Sequence, residues 1–310
     1  MKYIVAGYNM ITDIFYADGT SLENVAGGSF YSASGVKFWR DNLTYIGTAG
    51  PDFDSFYGKW FQENEIECKV NKCLPKTLKY TLSYGNNGIW SEKCSYGEEY
   101  ESLAKDKGRI TCDMFKNVLT SPDEKVGIYI EASLSAKIAD DFKMLKEEMP
   151  CSYLMWEING DDLRDPSLKD KLEERIALVD AFSMNLDEAT SFFQTSEFDK
   201  IVEGLKKYGK PCFLRLGEKG SGIVSKDDTV FGPSVGVEES VDPTGCGNCS
   251  TAACLIGLAE GLENKETVSM ANIAAAYCAR QNGPWPKVTE EIREKAASEL
   301  KEYLETAEFF

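Results

Sequence analysis

Six short apolar runs, set apart by helical patterns, constrain this chain more than any other feature. Lys2 to Gly7 (KYIVAG), Leu43 to Ile46, Val126 to Glu131, Ser152 to Glu157, Ala181 to Met184 and Pro211 to Leu216 each read as a short strand. Helical patterns such as Ala136 to Glu148 and Phe198 to Tyr208 lie between them. A strand apolar at successive positions is buried on both faces, and alternation with helices gives a parallel sheet covered on both sides. No internal repeat is present, so a solenoid is not expected. At 310 residues the chain is ample for one large α/β domain with a buried core.

The alternation is interrupted once. From Ile66 to about Trp90 the pattern becomes CKVNKC, TLKYTLSY and GIW, separated by Leu74-Pro75-Lys76 and Gly85-Asn86-Asn87-Gly88. Alternating residues around an Asn/Gly turn indicate a hairpin, and hence a small β-rich insertion. The following segment, Ser91 to Asn117, is polar and charged and carries no readable role.

Val241 to Gly261 (VDPTGCGNCSTAACLIGLAEG) is a loop opening into a helix. Gly245 and Gly247, on either side of Cys246, let backbone N–H groups converge, and the helix start adds unsatisfied donors and the positive end of its dipole. Such a nest attracts phosphate; the same residues also suit an ordinary glycine turn before a core helix. Polar residues Asn9, Thr12 and Asp13 follow the first strand, where open α/β sheets bind ligands, although a solvated turn reads the same way. Asn185 and Glu188, three apart between a strand and a helix, form a capping pattern.

Composition removes several chemistries. No histidine is present, which excludes Ser-His-Asp and Cys-His catalysis and most zinc sites. With 51 acids against 34 bases the net charge is −17, which disfavours nucleic acid and anionic membrane as partners. Any phosphate site must therefore be local. Ten cysteines lack a compact spacing, and the start MKYIVAGYNM shows neither a spanning segment nor a secretion signal, so reduced thiols in a cytoplasmic protein are expected. Cys246-Gly-Asn-Cys249 is a C-x-x-C at a helix N-terminus, where a thiolate would be stabilised, and a redox pair is the alternative reading there.

The stretch around Gly245 resembles the Asp-Thr-Thr-Gly-Ala-Gly-Asp signature of the ribokinase-like (PfkB) carbohydrate kinases. Asp242, Thr244, Gly245 and Gly247 match it, Cys246 stands for alanine, and Asn248 stands for the aspartate that serves that family as catalytic base. Further similarities follow in order: Asp13 after the first strand, Gly27-Gly28 before a helix, Gly47 to Asp52 after the next strand, Asn185-x-x-Glu188, and Leu216-Gly217 with Gly220. Ser32 occupies a position often held by asparagine in the family, and Arg215 one often held by threonine.

The resemblance implies one three-layer α/β/α domain over 1–310, with a mostly parallel sheet and β lid segments at about 12–20 and 66–110. It implies ATP and Mg²⁺ as cofactors and a small sugar, polyol or nucleoside as acceptor, with a homodimer through the lid as a further implication. The turn Gly245, Cys246, Gly247 would hold the transferred phosphoryl group by backbone N–H and Asn248 would face the reacting hydroxyl. Asp13, Gly27, Gly28 and Ser32 would contact the acceptor. Asn185, Glu188, Arg215, Gly217, Gly220, Thr244 and Asn272 would serve the nucleotide, and Glu188 and Asp242 the metal. An amide cannot take up a proton at neutral pH, so Asn248 leaves open a working kinase with a displaced base, a slow kinase, or a protein that binds without turnover.

Overall fold

The computed structural model describes residues 1–85 and 90–310. Thirteen strands are present among them: β1 Lys2–Tyr8, β2 Met10–Phe15, β3 Ser21–Ala26, β4 Leu43–Thr48, β5 Glu67–Asn71, β6 Leu78–Tyr84, β7 Trp90–Cys94, β8 Val126–Ala132, β9 Ser152–Ile158, β10 Ala181–Asn185, β11 Cys212–Arg215, β12 Ser221–Val224 and β13 Thr229–Gly232. Nine form one sheet in the order β13-β12-β11-β10-β9-β8-β1-β4-β5. The run from β5 to β11 is parallel, and β12 and β13 extend it antiparallel.

Alternate residues of the central strands enter two separate cores. Ile4 and Ala6 of β1, Ile128 and Ile130 of β8, and Leu154 and Trp156 of β9 pack on one face. Tyr3, Val5, Tyr129 and Met155 pack on the other, against the helices Ser29–Trp39, Cys246–Glu260 and Asn264–Ala279. Helices therefore cover both faces, which is why the strands are apolar throughout. This is the three-layer α/β/α architecture expected from the sequence.

The remaining four strands make a small sheet in the order β3-β2-β6-β7. β2 pairs with β3 and β6 with β7 antiparallel, whereas β2 and β6 are parallel. One part of the expected lid lies elsewhere. Glu67–Asn71, read with the insertion, is β5 and pairs parallel with β4 at the edge of the large sheet. Its alternating exposure is that of an edge strand covered on one side. The expected turn at Asn86-Asn87-Gly88 lies outside the described residues.

Candidate active site

Strand register assembles the site at the carboxyl edge of the large sheet. Glu131 and Glu157 each stand one residue after a position packed in the first core, Ile130 and Trp156, and so point with Tyr129 and Met155 to the face covered by the helix Cys246–Glu260. Ser183 and Arg215 fall on that face too, two residues after Ala181 and Phe213. Pairing sets Glu131 beside Glu157, Glu157 beside Ser183, and Asn185 beside Arg215.

Arg215 is the hub of this row. Its guanidinium pairs with Glu157 at 2.6 Å and approaches Glu188 at 3.7 Å, with only 14% of its side chain exposed. The second oxygen of Glu157 accepts from Tyr129 Oη at 3.3 Å and from Ser183 Oγ at 3.0 Å, so that buried carboxylate is satisfied. Glu188 closes a reciprocal capping box: its carboxylate accepts from Asn185 N at 2.7 Å and its own amide donates to Asn185 Oδ1 at 2.8 Å. Burial pushes the Glu188 carboxyl above its ordinary range, and Arg215 opposes the shift. The helix-start reading and proximity to a cation thus hold together at Asn185 and Glu188.

The glycine turn sits beside Arg215. Thr244 N donates to Asp242 Oδ1 at 3.0 Å, and Gly245 takes φ 80°, a left-handed conformation, with the Tyr31 ring where a side chain would be. Cys246 N donates to Pro243 O and Cys249 N to Gly245 O. The amide of Cys246, expected in the anion nest, is therefore already engaged. Gly247 N and Asn248 N have no acceptor among the described residues, and they open the 15-residue helix Cys246–Glu260. A Cβ on Gly247 would come within 2.5 Å of Arg215 Nη1, so the guanidinium lies directly over the turn. Two free amides, a helix N-terminus and a buried cation are a donor set suited to phosphate.

A second helix begins against the same place. Gly35 has no room for a side chain because the backbone of Cys249 passes over it, so the helices Ser29–Trp39 and Cys246–Glu260 cross in close contact. The start of the first, Gly28, then lies at the end of β8: a Cβ on Gly28 would be 3.2 Å from Glu131 Oε2, and one on Gly7 would be 3.4 Å from the same atom. Among the described residues Glu131 Oε2 is buried without a hydrogen-bond partner. Burial, with Glu157 alongside, pushes its carboxyl up to about 8, and the adjacent Asn248 amide opposes the shift. Asn248 Nδ2 itself donates to Tyr129 Oη at 3.3 Å.

Other expected site residues are placed differently. Asp13 is held by Lys79 at 2.7 Å and accepts from Asn24 N at 2.9 Å, all within the small sheet. The side chains nearest Gly27 are Thr12 and Met10, and those nearest Gly28 are Glu131 and Met10. Asp13 is thus not among the side chains that press closest on the glycine pair. Ser32 is fully buried beside Tyr129, beneath the site. Gly217 has φ 63° with open space above it, whereas Gly220, at φ 109°, is a glycine because Gly232 O and Pro233 press against it. Asn272, expected near the nucleotide base, donates to Gly232 O at 3.1 Å and Pro233 O at 3.0 Å and accepts from Ser221 Oγ at 2.6 Å. Its amide N–H groups clamp the end of β13, with no donor left over for a base.

Glu188 faces Arg215, while the Asp242 carboxylate faces the Tyr16 phenol, and among the described residues no three Cys, Asp or Glu side chains converge as a metal cage. The expected thiolate at Cys246 is also corrected: contact with Cys278 and burial push that thiol up, out of reach of ionisation at neutral pH. Cys246 Sγ and Cys249 Sγ donate to the carbonyls of Ala275 and Ala274. Above the turn, Tyr84 Oη of β6 lies 3.2 Å from Thr244 Oγ1 and the Tyr84 ring stacks on Tyr16, so the small sheet rests on the loop.

Glu131 and Glu157 were not singled out from sequence, although each is the last residue of an apolar run marked there. An acid closing a buried parallel strand was the available signal.

The fold is ribokinase-like. Residues 157–290 match the family model described as pfkB family carbohydrate kinase. A curated relative named ribokinase, from Arabidopsis thaliana, is 26% identical over 129 residues, a match that spans 40% of this chain and only 34% of that protein. Among solved structures, adenosine kinase from Sinorhizobium meliloti superposes with a TM-score of 0.76 at 18% identity, covering 96% of this chain and 99% of its own. A putative ribokinase II from E. coli, in complex with ATP and Mg²⁺, does so with a TM-score of 0.71 at 16% identity, covering 96% and 99%. The chain is thus ribokinase-like in fold over almost its whole length, and PfkB-type in sequence across residues 157–290.

Proposed function

We propose that this protein is an ATP-dependent phosphotransferase acting on a hydroxyl of a sugar, a related small polyol or a nucleoside. The observation that carries the reading is Arg215 lodged over Gly247, beside two amides with no acceptor among the described residues and next to the Glu131–Gly28 wall. The donor side supplies positive charge where a terminal phosphate would develop negative charge, and the acceptor side supplies a carboxylate and bare glycine backbone. The relative solved with ATP and Mg²⁺ shares the fold, which supports the choice of nucleotide.

Gly247, Asn248 and Arg215 would hold the phosphoryl oxygens, and Gly217, open and left-handed, would border the nucleotide. Gly28, Glu131 and Asn248 would orient the acceptor. Mg²⁺, when bound with ATP, neutralises phosphate charge. Glu188 and Asp242, whose Oδ2 has no partner among the described residues, are the carboxylates that would meet its water shell. The small sheet would cover the acceptor, and we extend the proposal to a homodimer paired through it, on the exposed Phe15 of β2. A monomer by sedimentation would remove that extension. Ten free thiols fit a cytoplasmic setting.

Calorimetry should show Mg²⁺-dependent ATP binding, and a panel of sugars, polyols and nucleosides should yield a phosphorylated product; no ATP binding would end the reading. The amide at Asn248 favours a second one, binding without turnover, which requires ligand-dependent thermal stabilisation and no product over long incubation.

A further inference from the structure

We propose that Glu131 is the proton acceptor of the reaction, standing at the end of β8 where Asn248 on the facing helix has no basic group to offer. The inference rests on the phosphotransferase reading and names the residue that completes it.

Four carboxylates near the turn are already committed. Glu157 is held by Arg215, Tyr129 and Ser183. Glu188 accepts from Asn185 N and faces Arg215 and Arg164. Asp13 belongs to Lys79, and Asp242 caps Thr244 and faces Tyr16. Glu131 differs from them in its surroundings: like Asp242 Oδ2, its Oε2 is buried without a hydrogen-bond partner among the described residues, but Asp242 faces the Tyr16 phenol whereas Glu131 Oε2 lies against two glycines. A buried acceptor atom left unmatched costs stability, so its persistence needs a reason, and a donor that arrives with a ligand supplies one. A hydroxyl resting on Gly28 is within reach of both Oε2 and the Asn248 amide, because Asn248 flanks that carboxylate. Its distance from phosphate is set by the same turn, since Asn248 follows Gly247 in the first turn of the helix.

In the step that follows, the acceptor oxygen bonds to the γ-phosphorus while the bond from that phosphorus to the β,γ-bridging oxygen breaks. The bridging oxygen leaves with its electron pair on the nucleoside diphosphate. The hydroxyl proton passes to a lone pair of Glu131 Oε2 and returns to solvent after the products depart. Asn248 stays neutral and positions the hydroxyl.

The charge around Glu131 suits that task. Glu157 from β9 and Glu92 from β7 push its carboxyl up, Arg215 from β11 opposes them, and Tyr129 of β8 and Tyr45 of β4 lie close by as neutral phenols. A base whose affinity for protons is near the operating pH is more effective than an ordinary carboxylate.

The test uses the full chain with ATP, Mg²⁺ and whichever panel compound the wild type phosphorylates fastest. Glu131→Gln keeps size and removes the base: kcat should fall by about 10² to 10⁴-fold with KM for ATP unchanged. The rise of kcat with pH should disappear. Adding Asn248→Asp to Glu131→Gln should recover about 10²-fold of the loss and restore the pH limb at lower pH. Glu131→Asp, which keeps a carboxylate, controls for folding. Independently of activity, infrared spectra of the free protein should show a protonated-carboxyl band that bleaches as pH is raised and is missing from Glu131→Gln. Unchanged kcat in Glu131→Gln, or a pH limb that survives it, overturns the proposal while leaving the phosphotransferase standing. A wild type that phosphorylates nothing overturns both.

Discussion

Glu131 and Glu157 are direct neighbours at the carboxyl ends of adjacent parallel strands, yet Arg215 pairs with Glu157 at 2.6 Å while Glu131 keeps an oxygen with no partner among the described residues. The pair therefore divides into a carboxyl group held by a cation and one that is hard to ionise. Burial and its neighbour raise the Glu131 carboxyl from 4.5 to about 8. A raised carboxyl contributes its stability below the unfolded value and loses it as pH climbs through the folded value. Wild-type protein should thus lose stability relative to Glu131→Gln between about pH 4.5 and pH 8. Urea melts of the two proteins at several pH values check this; parallel curves would contradict it.

Arg215 holds two buried carboxylates, so removing it leaves charge without compensation. Arg215→Met should destabilise the protein by about 3 to 5 kcal/mol and abolish phosphate affinity. Combining it with Glu157→Gln should return most of the stability but none of the anion binding. Denaturant unfolding read beside ATP calorimetry separates the two effects.

Gly245 faces two constraints at once, its left-handed φ and the Tyr31 ring behind it. The backbone term is about 1 to 2 kcal/mol for a residue with a Cβ and overpacking adds about 1 to 3. Gly245→Ala should therefore cost about 2 to 5 kcal/mol in thermal or urea unfolding. A variant as stable as wild type would show that the turn is not held as described.

The thiol of Cys278 lies against both Cys246 and Cys249 beneath the turn, and Cys246 and Cys278 are both held in the protonated state. Disulfide-exchange reagent at mild pH should label exposed Cys151 quickly and reach these three only after unfolding. Replacing Cys246 and Cys249 together by serine should leave ATP affinity unchanged. A Cys246–Cys249 disulfide in the native protein, found by mass spectrometry, would restore the redox reading.

Periodicity made the layered sheet legible because strands buried on two faces are apolar at every position, and Lys2 to Gly7 or Val126 to Glu131 could hardly be anything else. β5 escaped because an edge strand alternates like a hairpin strand: Glu67–Asn71 looks the same whether it joins the large sheet or the small one. At the site, Gly245 and Gly247 announced a turn through backbone freedom, and Asn185 and Glu188 a cap through spacing. Register is invisible in one dimension, so the meeting of Glu131, Glu157 and Arg215 was not. For the same reason Asn272 looked free to meet a ligand, whereas β13 and Ser221 had already claimed its amide.

The phenol of Tyr84 touches the hydroxyl of Thr244, one residue ahead of Gly245. Lifting the four-stranded flap breaks that touch, and seating it makes it again. Under the proposed reading, a group seated beneath the flap would bear on a residue three positions from Gly247, and the two halves of the cleft would then fill in concert, one guest altering the welcome given to the next.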